Sequence, residues 1–385
     1  MKKKLKLYAL SVGAFLLLIT VVLVAAEFII RQSVLDSTDE RRDHVYERPY
    51  LPVKMKPHYQ GVFWKVPFKT NNYGFRDEPD MTDAVPAGRF RILSLGDSIG
   101  FGLGIPAADH YTKVLQRHLN AAGGPVDFHV VNAAGQGYSP SGYYVFMTHE
   151  GRNLQYDMMI VDIEMCTVVT NEAMLYWETD PAHPGVPERV VGGRYVVAWD
   201  GSMLATCATD DHFYEKTYVY TDFLRRWLTL LFRISPTEPF AHEQRDGVTY
   251  YNLGFDKYEL DNDRLEGGWN KAFGAVKGLQ ELCEQRNVPF RVLIMPSRYM
   301  FEAQGGKRRE FATALMKRGV ARAAAEGLHY IDLTQAVRDG GGASLYYDFA
   351  HMTSQGNKVV GDALFRSFGP TLLDDVSSTG AEDGE

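Results

Sequence analysis

The chain has 385 residues, 45% of them hydrophobic, which is enough to bury a substantial core as one large domain or as a domain with an insertion. Its net charge of −7 leaves no basic surplus to neutralise phosphates, so the composition argues against a nucleic-acid partner. The three cysteines, Cys166, Cys207 and Cys283, are far apart and lack metal-binding spacing, which indicates buried or free thiols, or one disulfide.

The N-terminus predicts a membrane anchor. Four lysines in MKKKLK precede residues 7–26, which carry no charge, and twenty residues at ~1.5 Å each can cross a ~30 Å hydrocarbon core. A cleaved signal peptide is the alternative, because Val24-Ala25-Ala26 resembles a small-residue cleavage site. Cleavable apolar segments span only about 7–15 residues, which favours an uncleaved anchor. We therefore interpret residues 1–31 as cytoplasmic lysines and one transmembrane helix, with the rest of the chain outside.

Residues 32–60 are polar and mixed in charge and contain three prolines between 49 and 57, and we interpret residues 32–69 as a stalk. From about residue 90, apolar strands alternate with helical stretches, which predicts βαβ units and a parallel sheet covered on both faces. The strands are expected at 90–95, 126–133, 157–163, 289–296 and 328–333, and the helices at about 107–121, 141–153, 268–286, 307–325 and 355–367.

The alternation fails between about 172 and 267, a segment rich in Tyr and Trp that we interpret as an insertion into one α/β domain spanning 70–370. Within it, residues 222–234 place Leu, Trp and Phe beside three arginines, which favours a helix packed on the domain or, alternatively, one lying on a membrane. Residues 371–385 are acidic and predict a disordered tail.

Ser98 is the first candidate functional residue. RILSLGDSIGFG (91–102) ends an apolar strand in Gly-Asp-Ser, just past the carboxyl end of the first core strand, where open α/β sheets bind ligands. Turn and cap chemistry alone would also explain Gly, Asp and Ser at such a place. A serine hydroxyl becomes a nucleophile only when a base takes its proton, so a histidine must lie within reach.

Among the eleven histidines, His351 stands in a distinctive context. YYDFAHMTSQGNKVVGDAL (346–364) places Asp348 three residues before His351, immediately ahead of an amphipathic helix. An Asp at that spacing can accept a hydrogen bond from the imidazole Nδ1–H, which fixes the tautomer and stabilises the imidazolium. An incidental Asp and His in a surface loop is the alternative.

Together these motifs resemble the SGNH hydrolases, also called the GDSL esterase/lipase family. Gly96-Asp97-Ser98 matches the first block, Gly135 in VVNAAGQGYSP (130–140) matches the second, and Asp348 with His351 matches the last. NNYGFRDEP (71–79) is similar to a segment common in membrane-anchored bacterial members. The resemblance covers about residues 70–165 and 285–367.

The resemblance implies a three-layer α/β/α flavodoxin-like fold with Ser98 as nucleophile, His351 as base and then acid, and Asp348 orienting it. The backbone N–H groups of Ser98 and Gly135 would form part of the oxyanion hole, and neither a metal nor a cofactor is implied. In the third block the chain departs from the family: Thr167 falls at the usual Asn position, and Asn171 comes four residues later. The third donor is therefore expected to be Thr167 or Asn171, or to be absent.

The sequence thus predicts a serine esterase on the periplasmic side of a bacterial inner membrane. Location and family analogy suggest an O-acyl group, such as acetyl, on a cell-envelope glycan or lipid as its substrate. Acyl transfer to a sugar hydroxyl with the same triad is one alternative. A non-catalytic glycan-binding or assembly subunit is another, and the sequence does not identify any protein partner.

Overall fold

The computed structural model of the protein describes residues 2–37, 45–48, 51–63, 66–135, 138–165 and 172, separate strands between 176 and 260, and residues 262–303, 306–348 and 350–382. The chain begins with α1 (Lys2–Ser37) and two antiparallel hairpins, β1 (Val45–Arg48) with β2 (Leu51–Met55) and β3 (Gln60–Phe63) with β4 (Val66–Lys69). Then come β5 (Arg89–Leu95), α2 (Ser98–Phe101), α3 (Tyr111–Ala122), β6 (Asp127–Asn132), α4 (Pro140–Thr148) and β7 (Met158–Glu164).

The region after β7 contains β8 (Tyr176–Asp180), β9 (His183–Val191), β10 (Gly193–Val197), β11 (Ser202–Cys207), β12 (Ala241–Arg245), β13 (Val248–Asn252) and β14 (Lys257–Leu260). The chain then returns to alternation with α5 (Asn262–Gln285), β15 (Phe290–Met295), α6 (Gly306–Ala325), β16 (Tyr330–Asp332), α7 (Thr334–Gly340) and α8 (Ser354–Glu382).

The central sheet has the strand order β6-β5-β7-β15-β16, and all of its neighbouring strands run parallel. Counted along the chain, this is the order 2-1-3-4-5 of flavodoxin-like folds. The order reverses between β5 and β7, so the connections leaving these two strands diverge and open a crevice at their carboxyl ends. The predicted parallel α/β sheet is confirmed, and Ser98 follows directly on the strand at this switch point.

Helices cover both faces of the sheet, as the alternation predicts. Along β5, Leu93 and Leu95 enter the core formed with α4, α5 and α6, whereas Ile92 enters the core formed with α3, α7 and α8. Successive strand residues point to opposite faces, so a strand buried on both sides must be apolar at nearly every position. The fully buried runs of β5 and β7 show this pattern and account for the three layers.

The described stretches of the segment between β7 and α5, from 176 to 260, are strands. Five of them build a mixed sheet in the order β10-β11-β14-β13-β12, and β8 pairs with β9 in a hairpin that contacts α4 and α5. These strands lie within the segment expected to be an insertion, about 172–267, although α5 begins at Asn262, before the expected end of that segment. Residues 222–234 lie outside the described residues.

Both ends of the domain extend further than the sequence predicts. In the segment expected to be a stalk, Met55 and Phe68 are buried in one cluster with Phe101 and Leu103, so the folded part begins before residue 70. In the segment expected to be a disordered tail, α8 continues through Pro370, and Leu372 and Val376 are buried. Residues four apart lie on one helix face, and here that face packs on the sheet.

Helix α1 contains the stretch Leu10–Ile29, which has a mean hydropathy of 2.6 and is long and apolar enough to cross a membrane. Its side chains, among them Phe15, Leu17 and Val24, are exposed rather than packed on the rest of the protein. A membrane anchor and a signal sequence both have these properties.

Candidate active site

Ser98 is the first residue of the short helix α2, immediately beyond β5. Asp97 caps this helix through its Oδ1, which accepts a hydrogen bond from the Ile99 N–H at 2.8 Å. The Asp97 carbonyl accepts from the Phe101 N–H at 2.8 Å. Capping chemistry therefore explains Asp97, and it fixes the backbone of Ser98 at the carboxyl edge of the sheet.

The structure brings Ser98, His351 and Asp348 together across 253 residues of sequence. The Ser98 Oγ lies 2.9 Å from His351 Nε2, and His351 Nδ1 lies 2.6 Å from Asp348 Oδ2. When Nδ1–H donates to the carboxylate, Nε2 has a lone pair to accept the serine proton. The arrangement thus has the nucleophile, base and orienting acid of a serine hydrolase within hydrogen-bond distance.

The Asp348 carboxyl is held in its charged form. Its Oδ1 accepts hydrogen bonds from the N–H groups of Ala350 at 2.9 Å and His351 at 2.7 Å. Partial burial raises the pKa of Asp348, but the hydrogen bond and charge of His351 and these two N–H groups lower it by more, so the net pKa lies below its ordinary value. An ionised Asp348 can stabilise a protonated His351 at neutral pH.

Of the two backbone N–H groups expected in the oxyanion hole, only that of Ser98 is available to donate to a bound oxygen. No described group accepts a hydrogen bond from the Ser98 N–H, whereas the Gly135 N–H donates to the Gly96 carbonyl at 3.0 Å. A Cβ on Gly135 would lie 2.6 Å from the Tyr138 ring, so close packing of an aromatic side chain explains this glycine. The expected Gly135 donor is therefore engaged within the protein. Residues 136–137, Thr167 and Asn171 lie outside the described residues.

The loop that follows Ser98 is held by a buried arginine from the NNYGFRDEP segment. Arg76 Nη1 donates to the carbonyls of Phe101 at 2.9 Å and Gly102 at 2.5 Å, and Nη2 donates to that of Ile105 at 2.5 Å. The Leu103 N–H in turn donates to the Ser98 carbonyl at 3.4 Å. This segment therefore has a structural role next to the nucleophile, which the sequence comparison alone did not reveal.

Tyr347, next to Asp348, also connects this loop to the triad. Its hydroxyl donates to the Leu103 carbonyl, and its ring stacks on His351 with 6.0 Å between ring centroids. Because one side chain contacts both the histidine and the loop after Ser98, movement of either is restricted. The signal available in the sequence was only its adjacency to Asp348.

Two buried acids beside the site were not singled out from the sequence. Asp162 lies inside the apolar strand β7, where its Oδ2 accepts from the Tyr111 hydroxyl at 2.7 Å. Glu172 accepts from the N–H of Ser141 at 2.7 Å and from its hydroxyl at 2.8 Å, at the N-terminus of α4. Burial is the main cause that raises the pKa of each carboxyl.

Comparison with known proteins gives structural neighbours only. No family model matches the chain, and no curated protein matches it. Solved structures similar to it include a member of the lipolytic protein G-D-S-L family from Veillonella parvula, with 11% identity over 72% of this chain and 98% of that one at a TM-score of 0.34. The lipase/acylhydrolase from Enterococcus faecalis has 14% identity over 73% and 96%, at a TM-score of 0.37. An acetylxylan esterase from Geobacillus stearothermophilus has 11% identity over 72% and 93%, at a TM-score of 0.37.

Proposed function

We propose that the protein is a serine esterase of the SGNH type that hydrolyses O-acyl esters through a covalent acyl-enzyme. The observation that carries this proposal is the continuous hydrogen-bonded series Ser98–His351–Asp348, at 2.9 and 2.6 Å. A serine, a histidine and a buried or half-buried carboxylate in that order are the groups that acyl transfer to water requires.

In the first step the Ser98 Oγ attacks the ester carbonyl carbon while His351 Nε2 takes its proton. The tetrahedral intermediate then expels the alcohol, which receives that proton from His351. Water, deprotonated by His351, next attacks the acyl-enzyme, and the carboxylic acid leaves with Ser98 reprotonated. Among the groups that the structure describes, the Ser98 N–H would donate a hydrogen bond to the negative oxygen, and Thr167 or Asn171 would supply a further donor.

For the substrate we propose an acylated glycan or lipid of the cell envelope, acted on from the periplasmic side of the inner membrane. The path of the chain supports a site near the membrane if α1 is its anchor. Val45 pairs with Met55, which is buried against Phe101, three residues after Ser98. From Ser37 at the end of α1 to Val45 there are eight residue steps, which span at most about 29 Å.

The test is covalent labelling and ester hydrolysis by the full-length protein in detergent. A fluorophosphonate should label Ser98, and p-nitrophenyl acetate should be hydrolysed by the parent and not by Ser98→Ala or His351→Ala. Ser344 is exposed, and its hydroxyl donates only locally, to the Gly341 carbonyl, so Ser344→Ala serves as the matched control and should retain activity. Labelling elsewhere, or undiminished hydrolysis by Ser98→Ala, would contradict the proposal.

A further inference from the structure

The side chain of Asp162 lies against the backbone on both sides of the nucleophile. A Cβ built on Gly96 would be 2.2 Å from Asp162 Oδ2, and one built on Gly100 would be 2.0 Å from the same atom. These two glycines bracket Ser98, so one carboxyl group fills the space beneath the whole turn. No side chain larger than hydrogen fits at either glycine while Asp162 keeps its place.

The groups that face Asp162 come from three elements. From α3, the Tyr111 hydroxyl donates to its Oδ2 at 2.7 Å and lies 3.0 Å from the Ser94 hydroxyl of β5. From the turn after β5, Asp97 presents a second buried carboxyl group, and from α4 the buried Tyr143 is close enough for its pKa to be raised by both acids.

The site contains two acids and little to neutralise them. Among the described residues, neither Asp97 nor Asp162 forms an ion pair with a lysine or arginine. In the part of the chain that the structure describes, the side chain of His351 favours the charged form of Asp97. Two carboxylates in one water-poor site cannot both ionise at neutral pH, so the pair retains a proton.

The position of Asp97 at the N-terminus of α2, where its Oδ1 accepts from the Ile99 N–H at 2.8 Å, favours the charged form of this acid over that of Asp162. Burial raises the pKa of Asp97, but the N–H groups of Ile99 and Gly100 stabilise its carboxylate. Burial raises the pKa of Asp162 well above its ordinary value and the Asp97 charge adds to this effect, while hydrogen bonds from the Tyr111 hydroxyl and the Asp97 N–H lower it by less. The capping acid is therefore the charged one, and the acid on β7 is the neutral one.

From this geometry we propose that Asp162 is a positioning residue for Ser98 and acts as a neutral carboxylic acid beside the Asp97 carboxylate. The inference rests on the proposed esterase function. With one proton in the pair, a single negative charge faces His351 from beneath the turn. Loss of that proton at high pH would place a second charge against Gly96 and Gly100 and push the turn away, so kcat should fall as the pH rises through the second ionisation of the pair.

The test is the pH profile of kcat for the full-length protein in detergent, on p-nitrophenyl acetate with correction for spontaneous hydrolysis. Asp162→Asn keeps the shape of the neutral acid and cannot ionise, so its kcat should stay within about threefold of the parent at neutral pH while the alkaline decline disappears. Asp157→Asn is the matched control. Asp157 directly precedes β7, is half-buried, accepts from the Arg91 N–H at 2.7 Å and should leave the profile unchanged.

Two outcomes would overturn the inference: an alkaline decline in Asp162→Asn identical to that of the parent, or a loss of more than about tenfold at neutral pH. Infrared spectroscopy keeps the inference testable if that variant does not fold. The parent at neutral pH should show the C=O stretch of a protonated carboxylic acid, and Tyr111→Phe, which removes the donor to Asp162, should shift it. Absence of the band or of the shift refutes the inference. A parent that shows both but hydrolyses no ester would instead contradict the proposed function.

Discussion

Replacing Arg76 tests how strongly the loop after the nucleophile depends on one side chain. Arg76→Met removes three donors and leaves the buried carbonyls of Phe101, Gly102 and Ile105 without them. Hydrogen bonds from a charged donor contribute about 1.5–3 kcal/mol each, or roughly 4.5–9 kcal/mol for three. Burial lowers the pKa of Arg76 from its ordinary value to about 10, and this lowering corresponds to about 3 kcal/mol of desolvation cost. The difference predicts that the free energy of unfolding falls by roughly 1.5–6 kcal/mol.

Urea unfolding of the full-length protein in detergent, followed by the fluorescence of the buried Trp269, measures this loss. The exposed Arg117, which donates only to the Ala108 carbonyl, provides the control Arg117→Met, expected within about 0.5 kcal/mol of the parent. Arg76→Lys keeps the charge but cannot reach all three carbonyls, so it should restore only part of the loss. In Arg76→Met, kcat should also fall by about 10–100-fold, because the loop no longer fixes Ser98. An unfolding free energy within about 0.5 kcal/mol of the parent for Arg76→Met would refute the reasoning.

Three further substitutions test other parts of the structure. Gly100→Ala forces the Asp162 carboxyl to move and should lower the free energy of unfolding by about 1–3 kcal/mol in chemical denaturation. The control Gly267→Ala, which has open space around its Cβ, should leave the free energy of unfolding unchanged or raise it, and equal effects of the two variants would contradict the close packing. Phe68→Ala should lower the free energy of unfolding by about 3–5 kcal/mol in the same assay, because this side chain is buried. A negligible change would support the interpretation of residues 32–69 as a free stalk. Asp348→Asn should lower kcat by about 10⁴-fold with little change in KM, because the amide no longer holds the productive tautomer of its histidine partner; a loss of less than about tenfold would argue against the triad.

The sequence predicted the elements of the core well because their signals are local and redundant. Each core strand is an apolar run followed by a helical stretch, and β7 ends at Glu164, one residue beyond the expected Ile163. The same signals place Ser98 at the carboxyl edge of the sheet, since it follows β5, and His351 just ahead of the last helix. The distance of 2.9 Å between their side chains is, by contrast, a result of the structure.

The ends of the domain were predicted less well because composition describes the average of a segment and not its packing partners. Three prolines and mixed charge favoured a stalk, but Met55 and Phe68 find an apolar partner in Phe101. At the other end, Leu372 and Val376 lie among acidic and small residues, and this composition is typical of disorder. In both cases tertiary contacts, which lie far apart in sequence, decide the outcome.

The polar contacts beneath the nucleophile show a stricter limit of sequence reasoning. Asp162 occupies a strand whose pattern predicts burial, and a buried acid is costly unless a hydrogen bond or a neutral charge state compensates for it. Its compensating groups are the Tyr111 hydroxyl, which lies 51 residues away, and the backbone N–H of Asp97. An acid in the middle of a buried strand can therefore be recognised from the sequence as costly, but the groups that stabilise it lie in other elements. Such a residue has to be explained by the site next to it, which here is Ser98.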